Sequence, residues 1–321
     1  MKRGLVIGKF MPLHFGHIAL IRFAASQCDE LIVSMTYKPN DPIDGELRFG
    51  WIKEYFKHDL KIKPSVNLDD FDQESLPIEA RMNLWVAFIQ KRFPPMDTVF
   101  SSEKYGDLFA KELGANHVSF DLGKRLTPVS AFLIRQAPFQ YWQFIPNVVR
   151  PYYVKKICLY GPESTGKSTM AKRFAEIYNT EFVPEVAKEI ITSNIFTADD
   201  IIRIGHTQTE RVNEKLKSAN KILFCDTDLI TTEIYSKKYL GVVPEVLFEI
   251  EKEIQYDLYF LFDIDVPWVA DGMRDLGNQR EEMLKIFEME LIKRSIPFIL
   301  VKGNWTEREE VIKKAIDFLI A

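Results

Sequence analysis

Short apolar runs alternate with helical patterns from one end of the chain to the other. Seven runs stand out: residues 5–7, 31–33, 99–100, 157–160, 222–225, 258–262 and 298–301. Strands that are apolar throughout are typical of parallel sheets, because helices cover both faces of such a sheet. The pattern therefore predicts an α/β protein built on parallel sheets.

A new strand, loop and helix pattern begins near residue 151, after a segment that contains Pro146 and Pro151. Proline interrupts helices and central strands, so such a segment is a natural domain boundary. At 321 residues the chain also has the length of about two domains. We therefore predict two domains, residues 1–150 and residues 151–321.

Composition narrows the class of protein. Hydrophobic residues make up 46% and charged residues 27% of the chain, and the formal net charge is -4. These values indicate a folded globular protein and argue against one that coats nucleic acid or an anionic membrane. The first apolar run is too short for a signal peptide or a membrane span, so we expect a cytoplasmic protein. The three cysteines lack CxxC spacing, which favours packed or free thiols.

The strongest motif lies in the second domain, where residues 161–168 fit the phosphate-loop pattern G-x-x-x-x-G-K-[ST] directly after a predicted strand. Its glycines let backbone N–H groups converge on phosphates, and the helix that follows adds its positive end. The alternative is a glycine-rich turn with a solvated lysine. The predicted ATP-binding residues here are Gly161, Glu163, Ser164, Thr165, Gly166, Lys167, Ser168 and Thr169.

Three side chains around this loop are expected to carry the chemistry. Lys167 would reach the β- and γ-phosphates, and the Ser168 hydroxyl would ligate Mg²⁺. Asp226 ends the apolar run at 222–225 and would bind Mg²⁺ or orient the acceptor hydroxyl. The alternative for Asp226 is a helix N-cap, a role that suits Asp228 better.

An irregular segment at residues 266–280 contains two arginines, Arg274 and Arg280. In small-molecule kinases such a lid closes over the nucleotide and its arginines meet the charge of the transferring phosphoryl group. We predict a catalytic role for Arg274 and nucleotide binding for Arg280, with solvated surface charge as the alternative.

The first domain opens with a different motif, the segment GKFMPLHFGH at residues 8–17. It follows the first predicted strand and enters a helix near Gly16. Two imidazoles three residues apart, His14 and His17, can both face an anion at that helix N-terminus. Without a third ligand nearby, this spacing is weak evidence for zinc. We therefore predict that both histidines face a bound anion.

The ensemble GxFxPxHxGH resembles the signature of nucleotidylyltransferases. The resemblance implies that Gly8, Lys9 and Phe10 bind ATP and that His14 and His17 are catalytic and stabilise the transferring phosphate. These families carry a second motif, I-S-S-T-x-x-R, and the matching segment here is residues 129–135. Ser130 would cap the helix that brings Arg135 to the ATP phosphates. Ala131 and Phe132 depart from the pattern, and Phe132 replaces a hydroxyl that normally assists phosphate binding. This departure bears on how efficient the first domain is.

Taken together, the motifs resemble the bifunctional NadR family, in which a nicotinamide mononucleotide adenylyltransferase is fused to a ribosylnicotinamide kinase. The resemblance implies a Rossmann-like nucleotidylyltransferase domain followed by a P-loop kinase domain. It also implies that MgATP phosphorylates nicotinamide riboside and that a second ATP converts the nicotinamide mononucleotide to NAD. ATP and Mg²⁺ are thus the implied cofactors.

The resemblance also suggests residues that bind the substrates. Trp85 would stack on the nicotinamide ring of the mononucleotide, with Asn40 and Arg81 nearby, although a core role for Trp85 is open. Trp268 could stack on the cationic ring of the riboside or pack elsewhere.

Some family members begin with a DNA-binding helix-turn-helix domain. Here the catalytic strand begins at Gly4, so we expect no DNA partner and no membrane partner, while a homo-oligomer stays open. Two rival hypotheses remain: a non-catalytic nucleotide sensor, and an enzyme with both folds and another acceptor.

Overall fold

The computed structural model describes residues 1–73, 75–123, 126–193, 195–269 and 276–321. Its contacts divide the chain into two compact units, Met1–Arg150 and Pro151–Ala321. In the described part of the chain, the helices are too short or too polar to cross a membrane.

Unit 1 is a five-stranded parallel sheet with the strand order β3-β2-β1-β4-β5. Its strands are β1 (Arg3–Gly8), β2 (Glu30–Tyr37), β3 (Ile62–Leu68), β4 (Thr98–Ser101) and β5 (Asn116–Ser119). Its helices are α1 (Phe15–Ser26), α2 (Gly45–Phe56), α3 (Ile78–Arg92), α4 (Gly106–Leu113) and α5 (Ala131–Gln136), and α6 (Arg150–Tyr153) leads into unit 2.

Unit 2 is a second five-stranded parallel sheet, with the order β10-β9-β6-β8-β7. Its strands are β6 (Lys155–Tyr160), β7 (Glu181–Val183), β8 (Ile222–Asp226), β9 (Leu258–Phe262) and β10 (Phe298–Val301). Its helices are α7 (Lys167–Ile177), α8 (Ala187–Ile190), α9 (Ala198–Leu216), α10 (Leu229–Leu240), α11 (Val246–Glu251), α12 (Arg280–Lys293) and α13 (Trp305–Leu319).

Both sheets are covered by apolar helix faces. In unit 2, the buried face of α7 packs with α13 and one side of the sheet, and Phe174, Phe260 and Ile312 are each at most 1% exposed. The other side packs α10 and α12 against the sheet, with Phe287 fully buried. Continuous apolar strands follow from this double cover. The predicted α/β class with two parallel sheets is confirmed.

The central strands place both motifs at the carboxyl edge of a sheet. The segment 8–17 follows β1, which lies between β2 and β4, and the phosphate loop follows β6, which lies between β8 and β9. Leu159 pairs with Asp226 in the parallel ladder, so the end of β8 lies beside the phosphate loop. The three cysteines are buried free thiols, as their spacing predicted.

Two candidate active sites

The phosphate loop has the backbone that its glycines allow. Gly161 and Gly166 have φ values of 132° and 91°, and Ser164 lies between them at 56°. Positive φ is costly for residues that carry a Cβ atom, which explains why glycine stands at both ends of the turn. Gly166 is the N-cap of α7, so the free N–H groups of this helix face the concave side of the loop. The geometry is that of an anion cradle.

Lys167 lies inside this cradle and is only 8% exposed. Its Nζ donates to the carbonyl oxygen of Pro162 at 2.7 Å. Burial lowers the pKa of Lys167, and the neighbouring carboxylate of Asp226 opposes that shift. The charge is therefore held in a site with little water, where it interacts strongly with a phosphate.

Asp226 is 2% exposed at the end of β8. Burial raises the pKa of its carboxyl group, the carboxylate of Glu185 raises it further, and Lys167 opposes both. Among the described residues its Oδ1 atom has no hydrogen-bond partner. Such an orphaned buried oxygen is available to a cation or to a hydroxyl donor.

Two residues that the sequence did not single out complete this cluster. The Lys188 ammonium donates to the Ser168 hydroxyl at 3.2 Å, pairs with Glu185 at 2.8 Å and lies 4.0 Å from Asp226. A positive charge thus already contacts the oxygen atoms predicted to hold Mg²⁺. Both residues come from the segment after β7, whose three residues gave no clear strand signal.

Asp228 has the capping role that its position suggested. Its Oδ1 accepts from the backbone N–H of Thr231 at 2.9 Å and so caps α10. Its Oδ2 accepts from the hydroxyl of Tyr259 at 3.0 Å. Burial raises the pKa of Asp228 to about 6. The N-cap of α10 is therefore Asp228 and not Asp226.

A cavity of about 550 Å³ opens from the phosphate loop. The loop lines one side of it, and α9, α10 and Phe196, which precedes α9, line another wall. Three aromatic rings line that wall: Phe196 meets Tyr239 edge-on at 5.6 Å, and Tyr235 stacks with Tyr239 at 6.3 Å. Tyr235 also lies near Glu163 of the loop, so this wall and the loop border the same cavity.

The lid segment is described only in part, and Arg274 lies outside the described residues. Arg280 donates to the carbonyl oxygens of Val266 at 2.9 Å and Ser164 at 3.4 Å, so it joins the lid to the phosphate loop. Its guanidinium lies 5.6 Å from the ring centre of Trp268. Val266, Pro267 and Val269 line the cavity, whereas Trp268 packs on Arg280 and Gly277.

A fully buried arginine braces the other side of the loop. Arg308 donates to the carbonyl oxygens of Thr165 at 2.7 Å, Gly303 at 2.9 Å and Asp263 at 3.1 Å, and it pairs with Asp265. Four acceptors around one guanidinium satisfy its charge in the interior. The loop is thereby held rigidly to the ends of β9 and β10.

In unit 1, His14 and His17 lie at the N-terminus of α1. His14 is the N-cap, and its Nδ1 accepts from the backbone N–H groups of Gly16 at 3.1 Å and His17 at 3.4 Å. Because Nδ1 is the acceptor, the ring proton of neutral His14 is on Nε2. The two rings stack at 3.7 Å, and Phe10 meets His17 edge-on at 5.0 Å.

The loop between β1 and α1 is held from two directions. Arg48 is fully buried and donates to the carbonyl oxygen of Lys9 and to Asp41, each at 2.6 Å. Arg135 donates to the carbonyl oxygen of Met11. The structure therefore brings Arg135 of the second motif to the loop of the first. Gly8 ends β1, and Lys9 and Phe10 form the start of this loop.

Ser130 caps α5, because its Oγ accepts from the backbone N–H of Leu133 at 3.3 Å. The departures from the nucleotidylyltransferase pattern lie at the start of the same helix. Phe132 is 60% exposed, and Ala131 is half-buried. Neither side chain disturbs the cap or the contact that Arg135 makes.

The predicted substrate residues fall into two groups. Asp72 pairs with the Arg81 guanidinium at 2.8 and 2.7 Å, and Trp85 lies near the same carboxylate. The Arg81 guanidinium lowers the pKa of Asp72. Trp85 also meets Phe71 edge-on at 5.0 Å, while Asn40 is exposed in the turn after β2.

Sequence reasoning missed a set of buried polar atoms beside this group. Thr36 and Asn67 are register partners near the carboxyl ends of β2 and β3, and Asp69 follows β3. Thr36 Oγ1, Asn67 Oδ1 and Asp69 Oδ2 have no hydrogen-bond partner within the described ranges. All three can accept hydrogen bonds. β3 is an edge strand without a continuous apolar run, so the sequence pattern did not predict it or the polar atoms beside it.

Comparison with known proteins finds a matching family model in each of the two units. A family model described as cytidylyltransferase-like matches residues 5–63, and one described as an AAA domain matches residues 156–308. The trifunctional NAD biosynthesis/regulator protein NadR of Salmonella typhimurium is 32% identical over 97% of this chain and 82% of its own length. The chain belongs to the NadR family.

A second NadR-family relative, the trifunctional NAD biosynthesis/regulator protein NadR of Escherichia coli, is also 32% identical, over 93% of this chain and 78% of its own length. Two solved NadR structures share the fold with a TM-score of 0.82 each. One is a complex with NR, 24% identical over 99% of this chain and 96% of that chain. The other is a complex with NAD and AMP-PNP, 22% identical over 100% and 97%.

Proposed function

We propose that this NadR-family chain carries out two successive steps of NAD salvage. In unit 2 the 5′ hydroxyl of nicotinamide riboside attacks the γ-phosphorus of ATP, giving nicotinamide mononucleotide and ADP. In unit 1 the phosphate of the mononucleotide attacks the α-phosphorus of a second ATP, giving NAD and pyrophosphate. The observation that carries this proposal is the presence of both phosphate-binding loops, each with its charged partners in place, in one chain of this family.

The residues of unit 2 divide the work of phosphoryl transfer. The loop N–H groups and Lys167 bind the β- and γ-phosphates, and Arg280 holds lid and loop together. Ser168 and Asp226 offer hard oxygen ligands of the kind that Mg²⁺ prefers. Bound there, Mg²⁺ would neutralise charge on the phosphates. Glu185 is the second carboxylate beside the loop and is available to orient the acceptor hydroxyl.

The described residues contain no group of three or more His, Cys, Asp or Glu side chains placed to hold a metal. This fits Mg²⁺, which commonly uses one or two protein ligands together with substrate phosphates. The cation contact that Lys188 makes with Ser168 and Asp226 supports the same position.

The acceptor side of the cavity suits a cationic ring. Nicotinamide riboside carries a permanent positive charge on its pyridinium nitrogen, and aromatic faces attract such cations. Phe196, Tyr235 and Tyr239 line the wall beyond Asp226, on the β8 side of the loop. We therefore place the ring of the riboside against these three side chains. Trp268, which already faces the Arg280 guanidinium, stays a second candidate.

In unit 1 catalysis needs positioning and charge stabilisation, because no covalent intermediate is required. His14 and His17 would stabilise the α-phosphoryl group at the N-terminus of α1, and Arg135 would bind the ATP phosphates. Gly8, Lys9, Phe10 and Ser130 would shape the ATP site. Trp85 would stack on the mononucleotide ring, with Arg81 and Asn40 beside it.

Incubation of the purified chain with nicotinamide riboside, ATP and Mg²⁺ tests the proposal. We expect mononucleotide first and NAD after a lag, with pyrophosphate release matching NAD, and no product when EDTA removes the metal. Chromatography separates the two nucleotides. Mononucleotide without NAD would contradict the role of unit 1 and favour a nucleotide sensor there. ATP binding without either product would indicate another acceptor.

The aromatic wall makes a further prediction. Tyr239→Leu should raise KM for nicotinamide riboside about 3- to 30-fold, since cation–π contacts contribute roughly 0.5–2 kcal/mol, and should change KM for the neutral, reduced riboside much less. Tyr239→Phe should behave like wild type. If Trp268→Leu shows this charge-dependent loss and Tyr239→Leu does not, the ring belongs at Trp268.

A further inference from the structure

Trp305 is the exposed aromatic side chain that lies directly against the phosphate loop. It is 46% exposed, although large aromatic rings are usually well covered. A Cβ atom on Gly166 would lie 2.7 Å from its Cη2, so the indole packs on the loop backbone at that glycine. The same ring lines the cavity. The outer edge of the six-membered ring therefore lies against the loop backbone, and the indole also borders the ligand space.

The support beneath Trp305 is rigid. It is the first residue of α13, where Asn304 and Glu307 form a capping box. Arg308, one turn further on, is fully buried and bonds to the loop carbonyl of Thr165 and to Gly303. A ring mounted in this way keeps its orientation before any ligand arrives. Such pre-ordering lowers the entropic cost of binding.

The sheet order indicates which end of a bound nucleotide meets this ring. The phosphate loop follows β6. The transferring end of the triphosphate lies toward β8 and β7, where Asp226, Glu185 and Ser168 cluster. α13 follows β10, on the opposite side of β6. A triphosphate bound along the loop therefore directs its nucleoside end toward Trp305 and away from the acceptor wall.

We infer that the purine of the phosphoryl donor stacks on Trp305. This inference rests on the proposed kinase function of unit 2 and names the residue that binds the base. Stacking on an indole uses the π-face that every base has, so recognition through Trp305 tolerates different purines.

The test is the kinetics of riboside phosphorylation by the full chain, with ADP and inorganic tripolyphosphate as inhibitors. Trp305→Ala should raise KM for ATP and Ki for ADP roughly 5- to 100-fold, and GTP should lose affinity in parallel. Tripolyphosphate has no base, so its Ki should change less than about twofold. Trp305→Phe should restore most of the affinity. Phe318→Ala, an 85% exposed aromatic on the same helix, is the matched control.

Two outcomes would overturn the inference. An equal loss of tripolyphosphate binding would mean that Trp305 only supports the loop at Gly166. A raised KM for the riboside with an unchanged KM for ATP would place the acceptor at this ring. If the wild-type chain forms no mononucleotide, the proposed function fails, and fluorescence decides separately: ADP but not tripolyphosphate should quench an indole signal that Trp305→Phe lacks.

Discussion

Lys167→Ala is expected to lower the rate of riboside phosphorylation about 1,000-fold while adenylyl transfer by the same chain stays within twofold of wild type. The ammonium group is a buried charge inside the phosphate loop, and its desolvated surroundings strengthen its attraction for the transferring phosphoryl group. Removal of one preorganised donor of this kind typically costs about 10²–10³ in rate, and here a full charge is lost as well. Separate assays with riboside and with mononucleotide measure the two activities.

The structure indicates that the Lys167→Ala variant should still fold. Pro162 accepts a second hydrogen bond within the loop, from Thr165 Oγ1 at 2.9 Å, so its carbonyl stays satisfied when Lys167 is removed. Lys167→Met, which fills the same space without charge, is the matched control for packing. Both variants should unfold at nearly the wild-type temperature without ATP. Loss of both activities in a folded variant would contradict the assignment of independent sites.

The central strands could be predicted from the sequence because each is covered on both faces and so is apolar throughout. Three of the four edge strands were not predicted, β3, β5 and β7, whereas the apolar run at 298–301 did predict the fourth, β10. β3 carries Lys63 and Pro64, which a half-exposed edge accepts and a central strand does not. β7 has only three residues. As a result, the sequence did not predict the polar site residues that follow β7, Glu185 and Lys188, or the buried Asn67 on β3.

The phosphate-binding parts of both sites could also be predicted, because anion loops need glycine and cations at a set spacing along the chain. Residues brought in from distant elements could not. Arg48 and Arg308 brace the two loops from within the core, and Lys188 contacts the predicted Mg²⁺ ligands, yet no spacing along the chain assigned these contacts. The aromatic wall at Tyr235 and Tyr239 likewise has the spacing of any buried helix face.

The second large effect is expected in unit 1. His17→Ala is expected to lower adenylyl transfer about 10²–10³-fold and to leave riboside phosphorylation unchanged. The substitution removes an imidazole at the N-terminus of α1, where the helix dipole favours negative charge and the α-phosphoryl group is proposed to bind. It leaves the cap intact, because His14 accepts from the backbone N–H of His17 and not from its ring. Assays of NAD formation from supplied mononucleotide measure the loss.

His14 allows the structural and chemical roles of an imidazole to be separated. Asparagine at this position can still cap α1 through its side-chain oxygen, but it lacks the Nε2–H donor. His14→Asn should therefore keep the unfolding temperature near wild type and still lose adenylyl transfer, whereas His14→Ala should also lose about 1 kcal/mol of stability. If His14→Asn retains full activity, His14 serves only as a helix cap. His17 and Arg135 would then carry the charge stabilisation alone, and their double variant should show no residual transfer.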